Sequence, residues 1–207
     1  MSLIFYYAPM STASITELVL AELDVPCEKV RVDLKKGETR KPDFRKMNPN
    51  GKVPLLVHDG TPIWESAAIT LYLGETFGVE KKLYPPPGTK RGEAMKWVVW
   101  TNVSLVDAIG RFARNTMSWT PEEQHNAKAA EAAKSDIADC LAVLDGALEG
   151  REFLLGEHTL VDTHLHSIVD WLGHMQTGVA PSARVHAWSQ RCAARPAYAK
   201  VMAASAP

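Results

Sequence analysis

The chain has 207 residues, of which 46% are hydrophobic, so it can fill the core of one large domain or two small ones. Its 23 Lys and Arg residues are balanced by 24 Asp and Glu, and the net charge of -1 provides no general field for holding nucleic acid or an acidic membrane. Without a signal-peptide pattern or the ~20 apolar residues that cross a bilayer, we expect a cytoplasmic protein with no nucleic-acid or membrane partner.

The first 80 residues alternate between strand and helix patterns. "SLIFYYA" predicts a strand, "ASITELVLAELD" an amphipathic helix and "CEKVRVDL" a second strand, which together form a β-α-β unit with a parallel strand pair. "KVPLLVHDGTPIW" predicts two strands joined by a tight turn at Asp59-Gly60, and "SAAITLYLGETFG" predicts a helix that ends at Gly78. This order of elements predicts an α/β domain over residues 1–80.

A proline-rich stretch, "YPPPGTK", follows and predicts an exposed linker over residues 81–88. Residues 89–207 predict an all-helical domain, with helices at about 89–117, 120–149, 159–175 and 181–204. "TPEE" predicts a helix start with Thr120 as the N-cap, and "TLVD" predicts a capping box between Thr159 and Asp162.

Pro54 stands directly before the apolar run "LLV", where it would donate no ladder hydrogen bond. A trans proline at the start of a strand accounts for this position. A cis Val53-Pro54 bond would instead leave the backbone N–H and C=O of Val53 facing outward, where they could pair with a peptide-like ligand.

Glu65 and Ser66 come directly before an apolar helix beginning at Ala67. They could form an ordinary helix cap. They could also hold an amino-acid head group, because free N–H groups at a helix start attract an anion and a carboxylate beside them attracts an ammonium group. Arg40 and Lys52 either face solvent or neutralise a second carboxylate of the same ligand.

The strand with "YYAP", the "NPNGKVP" turn, the "ESAAI" helix start, the proline-rich linker and a helical half ending in "RPAYAKVM" together resemble cytosolic glutathione S-transferases over essentially the whole chain. The resemblance implies a thioredoxin-like N-terminal domain that binds glutathione, an all-α C-terminal domain that supplies much of the second-substrate pocket, and a homodimer. It implies glutathione as co-substrate, a small electrophile as the other partner, and no metal or nucleotide.

The resemblance also assigns roles to residues by motif. It implies that Val53, before a cis Pro54, pairs with the cysteinyl backbone of glutathione, and that Glu65 and Ser66 hold its γ-glutamyl end. Lys52 stands where many members of the family have Gln, which implies an altered contact with the glycyl end.

Arg40 is a looser match to the family's binding residues. The "TLVD" box resembles the family's capping box in the second domain, which implies a role in folding and none in the chemistry.

The hydroxyls in "FYYAPMSTAS" are the candidate catalytic groups. A free thiol is only about 3% thiolate at pH 7, and a majority of thiolate requires about 2.7 kcal/mol. A helix N-terminus supplies about 0.3 to 1 kcal/mol and a hydrogen bond to a charged acceptor about 1.5 to 3, so a hydroxyl donor beside the helix could supply the difference. By family motif we rank Ser11 first, Thr12 second and Tyr7 third.

Other sequence patterns give weaker indications of function. Three distant cysteines predict reduced thiols, and no Cys lies between residues 5 and 14, which argues against glutaredoxin-like disulfide exchange. His164 and His166 would point in nearly opposite directions on a helix and could not share a metal. Trp97, Trp100, Met117 and Trp119 could line the cleft, although the spacing of the first two is typical of a core.

The main interpretation is therefore a glutathione transferase that acts on a small, largely apolar electrophile. Two alternatives stay open. One is a non-catalytic, transferase-like module for protein interactions, and the other is a glutathione-dependent peroxidase or reductive lyase.

Overall fold

The first half of the chain forms a four-stranded sheet in the computed structural model, which describes residues 2–205; residues 1, 206 and 207, included in the predicted domains, lie outside that range. The strands are β1 (Leu3–Tyr7), β2 (Glu28–Arg31), β3 (Leu55–His58) and β4 (Thr61–Trp64). Their order is β2-β1-β3-β4, with β1 parallel to β2 and the other two pairs antiparallel. This topology confirms the predicted thioredoxin-like domain.

Helices cover both faces of this sheet. They are α1 (Ala13–Leu23), α2 (Pro42–Met47) and α3 (Ser66–Leu73), the last extended by a wider turn over Gly74–Gly78. Tyr6 packs edge-on against Phe44 of α2, with ring centroids 6.0 Å apart. Because adjacent residues of a strand point to opposite faces, Tyr7 lies on the face away from α2, where it stacks on Phe5.

The linker differs from its prediction as an exposed segment. Its middle is covered by the fold: Tyr84 and Pro85 are buried, whereas Pro86 and Pro87 are exposed. The Tyr84 ring lies so close to α3 that a Cβ on Gly74 would come within 2.7 Å of it. The glycine therefore permits a close contact between the linker and the sheet domain.

The second half of the chain is helical, as predicted. Its helices are α4 (Thr89–Trp100), α5 (Asp107–Arg114), α6 (Ala127–Ala147), α7 (Leu160–Gly173), α8 (Ala183–Ala193) and α9 (Pro196–Ser205). A wider turn over Thr101–Val106 joins α4 to α5 in one continuous element. The prediction of a single helix at about 181–204 is wrong, because Pro196 begins a new helix and separates α9 from α8. None of the described helices is long and apolar enough to cross a membrane.

The predicted start of the 120–149 helix is wrong. Residues Glu122–Gln124 form only a single 3-10 turn, and α6 begins at Ala127. Asn126 is its N-cap: the side-chain oxygen of Asn126 accepts a hydrogen bond from Ala129 N–H at 3.1 Å, while its own N–H donates to Asn115 Oδ1. This contact with the end of α5 decides where α6 begins.

The Thr159 capping box is present, as predicted. The two halves of the chain meet along α1, which contacts α7 and α9. α1 and α7 run antiparallel, because Ser14 near the start of α1 lies 3.3 Å from Ser167, whereas Glu22 at its other end lies 3.9 Å from His158. The start of α1 thus faces the end of α7.

Candidate functional site

The register of the sheet brings the predicted site residues to one end of the molecule. Tyr6 of β1 pairs with Leu55 of β3, and Leu55 pairs with Trp64 of β4. The residues that continue these strands at the same end are therefore Tyr7, the Val53-Pro54 turn and the Glu65-Ser66 helix start. The chain separates these three segments by tens of residues, and the sheet places them side by side.

The Val53-Pro54 peptide bond is cis in this structure, and both residues are buried. The turn that precedes it is held by Asn48, whose side-chain amide donates to the Lys52 carbonyl at 2.7 Å. Gly51 in the same turn has a φ of 62° and lies against the backbone of the preceding 3-10 segment. A rigid turn therefore presents Val53 at the end of the sheet.

Both cations predicted for the site lie near this turn. Lys52 is exposed directly before Val53, and Arg40 is exposed at the end of the 3-10 segment Glu38–Arg40. Neither side chain forms an ion pair with a described residue. Both are free to meet an anionic group, and the structure gives them no other partner among residues 2–205.

The hydroxyls before α1 have different surroundings. Ser11 donates to the Ala8 carbonyl at 2.7 Å and accepts from Ala13 N–H at 3.2 Å. Thr12, the N-cap of α1, makes no side-chain capping bond. Both are half-buried. In this state Ser11 closes the turn onto the helix, and the Thr12 hydroxyl has no hydrogen-bond partner among the described side chains.

Glu65 and Ser66 begin α3 in an unusual backbone conformation. Glu65 has a φ of 70° and a ψ of 120°, and its side chain is exposed. Ser66 is only 4% exposed, and its Oγ accepts a hydrogen bond from Asn102 Nδ2 at 2.9 Å. A positive φ at a residue other than glycine is uncommon and is often found at binding sites, which fits the position of Glu65.

The sequence analysis missed the residues behind Ser66. Asn102 Oδ1 lies 2.9 Å from His164 Nε2, and His164 Nδ1 lies 2.8 Å from Thr70 Oγ1 on α3. Burial lowers the pKa of His164 to about 3, so the ring is neutral. The one signal available in the sequence was a histidine amid the apolar residues of α7, and nothing in the sequence pointed to Asn102.

A cavity of about 710 Å³ lies in the helical half, beyond the end of α7, and none of the described residues that line it belongs to the sheet domain. Its walls come from the end of α5, the start of α6 and the segment after α7. Among the lining residues are Phe112, Met117, His125, Ala130, His174 and Gln176. Glu122, Glu131 and Lys134 also reach it, so the cavity has apolar walls with polar and charged groups beside them.

The predicted aromatic cleft is only partly present. Of the four residues proposed for it, Met117 alone lines this cavity. Trp97 is buried in the core of the helical half and packs edge-on against Trp100, with centroids 5.2 Å apart. Trp119 is 62% exposed. The spacing of Trp97 and Trp100 therefore reflects packing within the helical half.

The chain's own thiols are poorly suited to nucleophilic attack. Burial raises the pKa of Cys27 to about 11 and raises the pKa of Cys140 and Cys192 as well. All three are free thiols. Within the part of the chain that the structure describes, no group of His, Cys, Asp and Glu residues is arranged to hold a metal. A thiolate at this site would have to come from a ligand.

Both halves of the chain match known protein families. Residues 1–75 match the family described as glutathione S-transferase, N-terminal domain, and residues 105–196 match glutathione S-transferase, C-terminal domain. The chain is 32% identical over 188 residues to glutathione S-transferase GstB of Escherichia coli, covering 89% of each chain. It is also 32% identical to the probable glutathione S-transferase parC of Nicotiana tabacum, covering 88% of this chain and 80% of that one.

A solved structure supports the fold. The glutathione transferase URE2P8 of Phanerochaete chrysosporium, crystallised with oxidized glutathione, superposes with a TM-score of 0.87 and 25% identity. The superposition covers 98% of this chain and 94% of that chain. Sequence and structure therefore agree over both halves of the molecule.

Proposed function

The chain belongs to the cytosolic glutathione S-transferase family, and on that premise we propose that it binds glutathione at the end of its sheet and conjugates the glutathione thiolate to a small electrophile. The observation that carries the proposal is the convergence of three candidate binding elements at one end of the sheet. They are the Val53 backbone, the start of α3 at Ser66 and the hydroxyl-bearing turn before α1.

In this proposal each element holds one part of the tripeptide. The N–H and C=O of Val53 pair with the cysteinyl backbone, as an added strand would. Ser66 and the free N–H groups of α3 hold the γ-glutamyl carboxylate, and Glu65 holds the ammonium group. The exposed Lys52 and Arg40 meet the glycyl carboxylate. The cysteinyl sulfur then lies toward the start of α1.

We propose Ser11 as the donor to the thiolate. Its hydroxyl now donates to a neutral carbonyl, that of Ala8. A hydrogen bond to a charged acceptor is about twice as strong as one to a neutral acceptor, which favours a turn of the hydroxyl toward a bound thiolate. Thr12, whose hydroxyl needs no such exchange, is the second candidate, and Tyr7 on the same strand end is the third.

The reaction follows from this geometry. The bound thiol releases its proton to solvent, and the thiolate attacks an electrophilic carbon to form a C–S bond. A leaving group departs with its electron pair, or a proton adds to the neighbouring carbon. We propose that the electrophile occupies the 710 Å³ cavity, with its apolar body against Phe112, Met117 and Ala130.

We also propose a homodimer. Val99 and Val103 lie one helical turn apart and are 45% and 66% exposed, and Trp64 on the edge strand β4 is 39% exposed. Large exposed apolar side chains of this kind favour coverage by another surface. Sedimentation of the wild type and of Val103→Glu tests this: the wild type is expected to sediment as a dimer and the variant as a monomer.

The activity is tested with the wild-type protein in three steps. Calorimetry with glutathione measures binding, the ultraviolet absorbance of the thiolate against pH gives the pKa of the bound thiol, and a panel of electrophiles identifies the reaction. We expect binding, a lowered pKa and glutathione conjugates as products. Absence of binding favours the protein-interaction module, and binding with an unshifted pKa favours a glutathione carrier. Oxidized glutathione as the product favours the peroxidase or reductive lyase.

A further inference from the structure

Four side chains form a chain of hydrogen bonds that crosses from the helical half to the start of α3. Thr70 Oγ1 lies 2.8 Å from His164 Nδ1, His164 Nε2 lies 2.9 Å from Asn102 Oδ1, and Asn102 Nδ2 lies 2.9 Å from Ser66 Oγ. Thr70 and His164 are fully buried and Ser66 nearly so. The chain therefore links α3, α7 and the wider turn that follows α4.

The direction of donation along this chain follows from the orientation of the Asn102 amide, whose oxygen faces His164 and whose nitrogen faces Ser66. The Asn102 carbonyl oxygen can only accept, so the His164 Nε2 that faces it must carry a hydrogen and donate. A neutral imidazole carries one such hydrogen, which leaves Nδ1 bare to accept from the Thr70 hydroxyl. The Asn102 amide nitrogen can only donate, so the Ser66 oxygen accepts. All three bonds point toward Ser66.

This direction determines what Ser66 can do. Because its oxygen accepts from Asn102, its hydroxyl hydrogen is free to be donated elsewhere. The residue begins α3, where N–H groups also point outward without intrahelical partners. A hydroxyl donor and backbone donors at one helix start suit a carboxylate.

We propose that Asn102 and His164 are positioning residues that hold the Ser66 hydroxyl as a donor to the α-carboxylate of the γ-glutamyl group. The inference rests on the proposed binding of glutathione. It makes the helical half part of the glutathione site, because Asn102 lies beyond the linker and His164 lies on α7. Neither residue touches the ligand, and both act through Ser66.

The test compares two ligands by calorimetry. One is glutathione, and the other is the same tripeptide with 4-aminobutanoate in place of the γ-glutamyl group, which lacks only the α-carboxylate. Asn102→Ala is expected to bind glutathione about ten to a hundredfold more weakly than the wild type, the scale of one hydrogen bond to a charged group. Its affinity for the analogue is expected to stay within about twofold of that of the wild type.

Asn102→Asp reverses the last bond of the chain, the one to Ser66. A carboxylate at this position still accepts from His164 but also accepts from the Ser66 hydroxyl, which then points inward, and its charge repels the ligand carboxylate. Glutathione affinity is expected to fall further than in Asn102→Ala. Asn126→Asp is the matched control, because it adds the same charge at the exposed N-cap of α6, where Asp caps as well as Asn.

The outcomes separate the inference from the proposed function. If the wild type binds neither tripeptide, the proposed function fails. If the wild type binds glutathione and Asn102→Ala binds it equally well, or loses affinity for both ligands alike, Asn102 is not a positioning residue. Nitrogen chemical shifts of His164 give an independent readout: a neutral ring with its hydrogen on Nε2 supports the inference, and one with its hydrogen on Nδ1 overturns it.

Discussion

The N-termini of helices α1 and α7 differ in how far their polar groups are hydrogen-bonded within the protein. At the start of α7, Asp162 is fully buried, and its carboxylate accepts from the Thr159 N–H and hydroxyl at 3.0 and 3.2 Å. It also accepts from Leu154 N–H and Trp188 Nε1–H, both at 3.0 Å. Burial raises the pKa of Asp162, and these donors oppose the rise. Both oxygens are fully used within the protein.

At the start of α1 no carboxylate is present and the N-cap Thr12 makes no side-chain capping bond. The Ser11 hydroxyl accepts from one helical N–H, that of Ala13, and donates to the Ala8 carbonyl. Both hydroxyls are half-buried at the end of the sheet. A helix start whose polar groups are all satisfied within the protein thus stabilises the fold, whereas one left partly unsatisfied is available to a ligand.

The largest effect on stability is expected at the start of α7. Asp162→Ala leaves the N–H groups of Leu154, Thr159 and Trp188 buried without an acceptor. The free energy of unfolding should fall by about 3 to 5 kcal/mol, measured by urea denaturation. Asp162→Asn keeps one acceptor oxygen and should lose less. If the folded Asp162→Ala protein binds glutathione less tightly at low temperature, the division between folding and binding is wrong.

At the start of α1 we expect the opposite: a large effect on catalysis and a small effect on stability. With Ser11→Ala we expect the pKa of the bound glutathione thiol to rise and kcat to fall about ten to a thousandfold, because one donor to the thiolate is lost. The free energy of unfolding should change by only about 1 kcal/mol.

Thr12→Val and Tyr7→Phe are the matched controls for Ser11, since each removes one hydroxyl from the same end of the sheet. Both should keep kcat near that of the wild type. If kcat falls in Thr12→Val and stays at the wild-type value in Ser11→Ala, Thr12 is the donor to the thiolate and Ser11 is not.

His164, one of two buried histidines of α7, predicts a pH dependence of stability. The pKa of His164 is about 3 in the folded protein against 6.5 in an unfolded chain, so between these values the unfolded state takes up a proton that the folded state does not. Stability is therefore complete above about pH 6.5 and falls as the pH drops toward 3, by up to about 1.4 kcal/mol per pH unit from this group.

His164→Gln tests that contribution through the slope. Urea denaturation between about pH 4 and 6 should give a shallower loss of stability in the variant, by about one proton. Equal slopes in the two proteins would mean that His164 is protonated in the folded state. His158, whose pKa burial and Arg195 also lower to about 3, is unchanged in both proteins.

The smallest effect is expected at a third helix start, that of α6. Asn126 accepts from Ala129 N–H at the surface, so Asn126→Ala should lower the free energy of unfolding by about 1 kcal/mol. Thr120→Ala, at the cap that the sequence predicted, should change it by less than about 0.5 kcal/mol. If Thr120→Ala lowers the free energy of unfolding more than Asn126→Ala does, Thr120 is the helix cap, as the sequence predicted.

Much of the fold could be predicted because its signals are local. The turn at Asp59-Gly60 was predicted from two residues, and both adopt the positive φ that such a turn requires. The Thr159–Asp162 box joins residues three apart. The helical segment that starts with α3 was predicted to end at Gly78, and the wider turn that extends α3 ends at that residue. The start of α6 was not, because a contact from Asn115 on another helix overrides the cap signal at Thr120.

The candidate site, too, was predicted only in part from the sequence. Motifs along the chain pointed to Val53, Ser66 and Ser11 as candidates, because each lies at a turn or helix start with a recognisable local pattern. The Ser66–Asn102, Asn102–His164 and Thr70–His164 bonds join residues 36, 62 and 94 positions apart. No periodicity or short motif encodes such distances.

The sequence by itself determined the family, the order of strands and helices and the candidate residues, since these follow from hydrophobic periodicity, turn chemistry and short motifs. Only the tertiary structure decided which partner each polar group finds. It showed that Ser11 donates to Ala8, that Asn102 stands behind Ser66, and that the large cavity is lined by Met117 and not by Trp97. The physical reason is that hydrogen bonds act over about 3 Å in space, whatever the separation along the chain.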